Sequence, residues 1–190
     1  LFFSVLGINT YAIRSIAYNK KNKYELSKVF WEIQTIKLVS TVITILVYIM
    51  FINILQTEFK VIFIINIINI LASFLDISWF YIGIEDFKKT ALRDLFIKLC
   101  GMILLFTFIK RKEDLNLYIF FNVFITMLSQ LVIWGLISKE INFVKIKLKD
   151  CIRHIQPVMS YFLIQIIGII GSNLDKIIMA KFVNLNAVGI

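Results

Sequence analysis

VIFIINIINILASFLDISWFYIGI, residues 61–84, is long and apolar enough to cross a bilayer, yet its polar side chains recur at helical spacing. A membrane helix needs about 17–25 mostly apolar residues. Each helical residue turns by about 100°, so Asn66, Asn69, Ser73 and Asp76 fall on one face. The stretch predicts a single continuous span with a polar stripe.

The same reading extends outward in both directions. Residues 38–55, 92–109, 117–137 and 157–182 are further apolar runs of near-spanning length. Hydrophobic residues make up 59% of the chain, and the mean hydropathy is +0.85. A soluble domain sits near 45–50% apolar and has nowhere to hide this surplus. The predicted fold class is therefore all-α, a multi-spanning transmembrane helix bundle. The opening LFFSVLGINTY lacks the charged start and small-residue cleavage site of a signal peptide. Leu1 to Ala12 reads as the tail of an earlier span, and the chain as a fragment of a longer protein.

The net charge of +9 does not mark a nucleic-acid binder, because the basic residues collect in alternate loops. Arg14, Lys20, Lys21, Lys23 and Lys28 form one set. Lys88, Lys89, Arg93 and Lys98 form the next, and Lys139, Lys145, Lys147, Lys149 and Arg153 the third. The intervening loops hold only Lys60 and the Lys110–Lys112 cluster, which adjoins Glu113 and Asp114. Residues 14–34, 84–94 and 139–156 are thus expected in the cytoplasm, and 56–60 and 110–116 outside. The three basic segments are amphipathic: Leu26, Val29, Phe30, Ile33 and Ile36 oppose Glu25, Lys28 and Glu32. Ile84, Phe87, Ala91, Leu92, Leu95 and Phe96 oppose Lys88, Lys89 and Arg93. Val144, Leu148, Cys151, Ile152 and Ile155 form a third apolar side. They read as interfacial helices, or as cytoplasmic extensions of the spans that follow. Pro157 is expected in the first turn of the last span. His154, the single histidine, reads as a solvated loop residue. Cys100 and Cys151 belong to different levels of the molecule, so no disulfide is expected, and no Cys/His cluster suggests a metal.

Three more stripes accompany the first. Lys37, Thr41, Thr44 and Tyr48 share a face, as do Asn122, Thr126 and Ser129 with Gln130 beside them, and Tyr161, Gln165, Gly168, Ser172 and Asp175. Such residues either glue helices together, at about 1 kcal/mol per contact, or line a shared polar cavity. Two carboxylates at membrane depth favour the cavity. Asp76 lies roughly 12 Å inside the cytoplasmic Glu85 at about 1.5 Å per residue. A charge there costs about 2.5–3.5 kcal/mol or more unless it is partnered, and Arg14 or Lys37 is the expected partner. Asp175 and Lys176 are adjacent and point about 100° apart, so at least one should face another helix. Lys176 could instead snorkel to the outer interface. No catalytic constellation stands out and no cofactor is expected.

Three stretches carry a resemblance: TYAIRSIAYNKKNKYELSKVFWEI (10–33), FLDISWFYIGIEDFKKTALRDLFIKL (74–99) and SNLDKIIMAKFVNLNAVGI (172–190). In order and spacing they resemble bacterial polysaccharide (O-antigen and capsule repeat-unit) flippases of the multidrug/oligosaccharidyl-lipid/polysaccharide exporter superfamily. The resemblance implies about half of a 12–14-helix transporter in two pseudo-symmetric bundles. Residues 1–156 would be part of the first bundle, spans two to six, and 157–190 the first span of the second. It also implies a non-enzymatic role in capsule or lipopolysaccharide assembly: moving undecaprenyl-pyrophosphate-linked oligosaccharide across the bacterial cytoplasmic (inner) membrane. The partners it implies are the lipid-linked oligosaccharide, membrane lipids and other polysaccharide-assembly proteins, with no nucleic acid. Arg14, Asp76, Trp79, Asp175 and Lys176 match recurring family positions. The expected substrate path is Arg14, Lys37, Thr41, Thr44, Asn66, Asn69, Asp76, Asn122, Gln165, Asp175 and Lys176. In it, Arg14, Lys37 or Lys176 would meet pyrophosphate and the amides and hydroxyls would meet sugar. Rival readings are a small-molecule or multidrug exporter of the same superfamily, more distantly a membrane glycan polymerase, and a structural membrane scaffold, which would not need aligned polar stripes. The polymerase would need a larger outer loop than LQTEFK or KRKEDLN.

Overall fold

The computed structural model describes residues 5, 7–54, 60–111 and 114–182, with the side chains in those ranges except at Lys60, Ser172 and 175–182. Residues 56–59 of the expected outer loop 56–60, 1–4 and 6 of the expected earlier span Leu1–Ala12, and 112–113 of the expected outer loop 110–116 lie outside the described residues. The chain forms seven helices among the described residues. They are α1 (Ile8–Asn19), α2 (Lys23–Ile54), α3 (Lys60–Leu75), α4 (Ser78–Gly83), α5 (Phe87–Phe108), α6 (Leu115–Ile137) and α7 (Leu148–Phe182). The all-α expectation is borne out, and the chain is a membrane protein. Four described segments are long and apolar enough to cross a bilayer: Lys23–Ile54, Val61–Gly83, Leu115–Ile137 and Leu148–Gly171. α5 is not among them, although residues 92–109 read as a span, because its early turns carry Lys88, Lys89, Arg93, Asp94 and Lys98.

α2 begins where Asn22 caps it: the Asn22 Oδ1 accepts the N–H groups of Tyr24 and Glu25 at 3.0 and 3.3 Å. From there the basic amphipathic stretch and the span form one unbroken helix of 32 residues. α7 likewise joins its basic start to its span, but it begins at Leu148, and Val144 lies in the irregular segment before it. Pro157 is inside α7 rather than at its start, a correction to the sequence reading. Its missing N–H leaves the Arg153 carbonyl without a helical donor.

The stretch 61–84 is also not one helix. It breaks at Asp76–Ile77, between α3 and α4. Asp76 causes this locally: its Oδ1 accepts the Ser78 N–H at 2.9 Å, giving the backbone an alternative to the helical ladder. α4 then ends through Glu85, which adopts a left-handed φ of 67° and bonds Lys20 at 2.8 Å.

α1 packs on α4, α2 and α7; α3 lies against α2 and α6, and α5 against α6. The buried core gathers at one end of the bundle. Phe30 stacks on Trp79 and meets Phe80 and Trp134 edge-on, with Ile16, Ile33, Ile77 and Ile133 around them. The three basic segments meet at the same end. Lys20 reaches Glu85, Lys89 reaches Glu140, Lys28 lies 3.9 Å from Asp150, and Trp31 donates to the Asn142 carbonyl. Away from this end the helices turn Leu46, Met50, Ile103, Phe106 and Ile167 outward, as lipid-facing residues require.

Candidate functional site

α2 carries two buried charges, Glu32 and Lys37, each with no exposed surface. Lys37 faces the α3–α4 break. The last carbonyls of a helix have no partner of their own, and at membrane depth water cannot supply one. Here the carbonyls of Phe74, Leu75 and Asp76 receive side-chain donors. Gln34 Nε2 donates to the Phe74 oxygen at 3.0 Å and Trp134 Nε1 to the Leu75 oxygen at 2.7 Å. Lys37 Nζ at 2.5 Å and Trp79 Nε1 at 3.1 Å both donate to the Asp76 oxygen. Of the two cations expected at Asp76, Lys37 is there, but it bonds the main chain of Asp76 and not its carboxylate.

Glu32 faces α7. Its Oε2 accepts Arg153 Nη2 at 2.6 Å and lies 2.7 Å from His154 Nε2. His154 Nδ1 lies 2.5 Å from the Tyr11 hydroxyl on α1. The Tyr11 hydroxyl and the Glu32 carboxylate thus bracket the two ring nitrogens of His154, and Arg153 Nε lies 3.3 Å from Nε2. Lys28, one turn earlier on α2, approaches Glu32 at 4.0 Å. His154 is therefore buried and doubly bonded, which corrects its reading as a solvated loop residue.

α1 and α7 approach closely to make this junction. Gly7 has φ 75°, and a Cβ there would stand 2.4 Å from the Val158 oxygen and 2.5 Å from the Phe162 nitrogen. Only glycine fits both demands. Gln165 accepts the Gly7 N–H at 3.0 Å and donates to Thr10 at 3.1 Å. Arg14 donates to the Tyr161 hydroxyl at 2.6 Å, with its guanidinium 5.3 Å from that ring's centre.

Two hollows flank the junction. One, of about 420 Å³, is lined mainly by polar residues, among them Arg14, Ser15, Asn19, Glu25, Arg153 and His154. The other, of about 780 Å³, is an apolar groove between α2 and α7, with Val39, Ile43, Val47, Ile155, Met159 and Phe162 among its walls. Thr44 and Tyr48 also line the groove.

The family described as "Polysaccharide biosynthesis protein" matches residues 1–190. The chain belongs to that family. No curated protein and no solved structure matches it.

In this polysaccharide biosynthesis protein the stripes divide into different jobs. Lys37 is buried against the break; Thr41 is buried, and its hydroxyl has no hydrogen-bond partner among the described residues. Thr44 bonds the Ser40 carbonyl. Asn66 bonds the Ile62 carbonyl and receives Asn69 at 3.0 Å. Asn122 is exposed and donates to the Tyr118 carbonyl of its own helix. Gln165 ties α7 to α1, as described. The Asp175 and Lys176 side chains lie outside the described residues.

Sequence reasoning missed Glu32, Gln34, Tyr11, Trp134 and the Arg153–His154 pair. Glu32 had been placed on the charged side of its amphipathic helix. It sits three residues after Val29 and four before Ile36, so it also belongs to the apolar face, and that spacing was a usable signal. Nothing local marks Trp134 as a donor to a helix broken elsewhere in the chain.

Proposed function

We propose that this chain is part of a flippase that moves undecaprenyl-pyrophosphate-linked oligosaccharide repeat units across the bacterial cytoplasmic membrane, as a multi-pass protein and not an enzyme. The observation that carries the reading is the pair of hollows around the α1–α2–α7 junction. A lipid-linked sugar has an anionic head, hydroxyl-rich sugars and a greasy tail. The polar hollow offers Arg14 and Arg153, which suit bidentate bonding to phosphate, along with Ser, Asn and Tyr groups that suit sugar. The groove between α2 and α7 offers apolar walls of the kind a prenyl chain prefers. Both lie beside the end where the basic segments gather, which the positive-inside rule assigns to the cytoplasm, where such a substrate is made.

The test is genetic and chemical. Cells lacking the full-length protein should lose surface polysaccharide and accumulate lipid-linked repeat units, and wild-type protein should restore them. Arg14→Ala should restore them poorly at normal protein level. Normal surface polysaccharide with a lost resistance to small cationic compounds would replace this reading with the exporter one.

A further inference from the structure

The surroundings of Lys37 describe a cation site. Its ammonium is fully buried in a membrane-spanning helix. It donates to a main-chain carbonyl in a helix break, next to the carbonyls of Phe74 and Leu75. Helix C-terminal carbonyls carry partial negative charge, and unwound carbonyls of broken membrane helices are where transporters hold monovalent cations. No described ion pair joins the Asp76 carboxylate to Lys37 within 4.0 Å. Two further buried oxygens flank Lys37 along its helix. Gln34 Oε1 and Thr41 Oγ1 are buried without hydrogen-bond partners, one turn before and one turn after Lys37 on the same face of α2. The neighbouring carbonyls manage with neutral donors, Gln34 and Trp134. Only the Asp76 position receives a full charge as well as Trp79. A compact ammonium with three donors suits a carbonyl in an unwound segment better than any other side chain.

We propose that the Lys37 ammonium is a tethered monovalent cation, occupying in the α3–α4 break the place that a mobile sodium, potassium or ammonium ion would otherwise take. The chain then holds this break in one conformation whatever the salt outside, and the site exchanges no ion during transport.

The test compares the thermal midpoint of the purified full-length protein in sodium, potassium, ammonium and tetramethylammonium chlorides at equal ionic strength. The wild type should melt at the same temperature in all four. Lys37→Ala should lose several degrees in tetramethylammonium, which is too large for the vacated site, and regain much of that loss in ammonium, potassium or sodium. Lys37→Met keeps the side-chain bulk without the charge. It should fall as far as the alanine variant and regain nothing, because its thioether arm fills the site. Identical melting of Lys37→Ala in all four salts, or a methionine variant as stable as wild type, would reduce Lys37 to packing and overturn the proposal. A wild type that gains stability specifically in sodium or potassium would overturn it too, since a mobile ion would then bind. That comparison requires no variant to fold.

Discussion

Glu32 and Lys37 stand five positions apart on one helix, equally buried, and meet opposite kinds of partner. Glu32 is held by ionisable side chains from α7, a helix more than a hundred residues away in sequence. Lys37 is held by a backbone carbonyl of a broken helix whose course Asp76 sets locally. A carbonyl oxygen cannot be mutated away or titrated, whereas a guanidinium or imidazole can. The Lys37 region should therefore depend on the path of the chain through residues 74–77, and the Glu32 region on how α7 is seated.

The strongest way to break this contrast is Gly7→Ala. Its Cβ would strike backbone atoms of Val158 and Phe162, which cannot yield as a flexible side chain can. We expect a loss of about 3 kcal/mol or more from the clash and the left-handed φ together. The damage should remove α7 from Glu32 and leave Lys37 undisturbed. Disulfide trapping between cysteines placed on α1 and α7 should fail in this variant, while trapping between α2 and α3 persists. Loss of both would mean that the two regions are not independent.

Next comes the ion pair itself, where the two partners are not equivalent. The Arg153 side chain is 51% exposed and Glu32 is not exposed at all. Arg153→Gln strands a buried carboxylate and should cost about 2–3 kcal/mol. Glu32→Gln leaves behind a cation that can turn to water and should cost less. The double variant should lose less than the sum. Strict additivity in thermal melts would show that Glu32 is held by His154 alone. At the other site Trp134→Phe removes only the donor to the Leu75 carbonyl and should cost about 1 kcal/mol. A loss as large as that of Arg153→Gln would show that the break is not firmly held by its remaining donors.

The smallest effect belongs to Lys89, outside the spans. Bonds to Asp86 at 2.7 Å and to Glu140 at 2.7 Å hold its ammonium above the ordinary lysine range. A raised lysine contributes stability that is complete below the unfolded value of about 10.4 and fades only as pH climbs through the folded one. The side chain is 37% exposed, so the contribution is small. Lys89→Met should shift the melting temperature slightly and by the same amount anywhere from about pH 6 to 9. A shift that changes across that range would assign the effect to another group.

How much was legible follows from these particular residues. Hydropathy and helical period made the spans readable, and the lysine pattern anticipated that 14–34, 84–94 and 139–156 would gather at one end, as they do. The stripe through Lys37 and Thr41 was visible, and so was the need for a cation near Asp76. Whether Asp76 would offer its carboxylate or its carbonyl was not, because that depends on a break that a continuous apolar run conceals. His154 looked solvated because loop charges surround it in sequence. It is buried because Tyr11 and Glu32 converge on it from two other helices.

The sequence by itself determined that this chain is helical, lies in a membrane and keeps its basic segments together. Those properties sum over many residues, each preferring lipid, water or one side of the bilayer independently of its distant neighbours. Only the tertiary structure decided which polar groups are paired, where the 61–84 stretch breaks, and what the two buried charges of α2 touch. A hydrogen bond or ion pair exists only when two groups arrive within about 3 Å, and that distance is set by how separate helices pack.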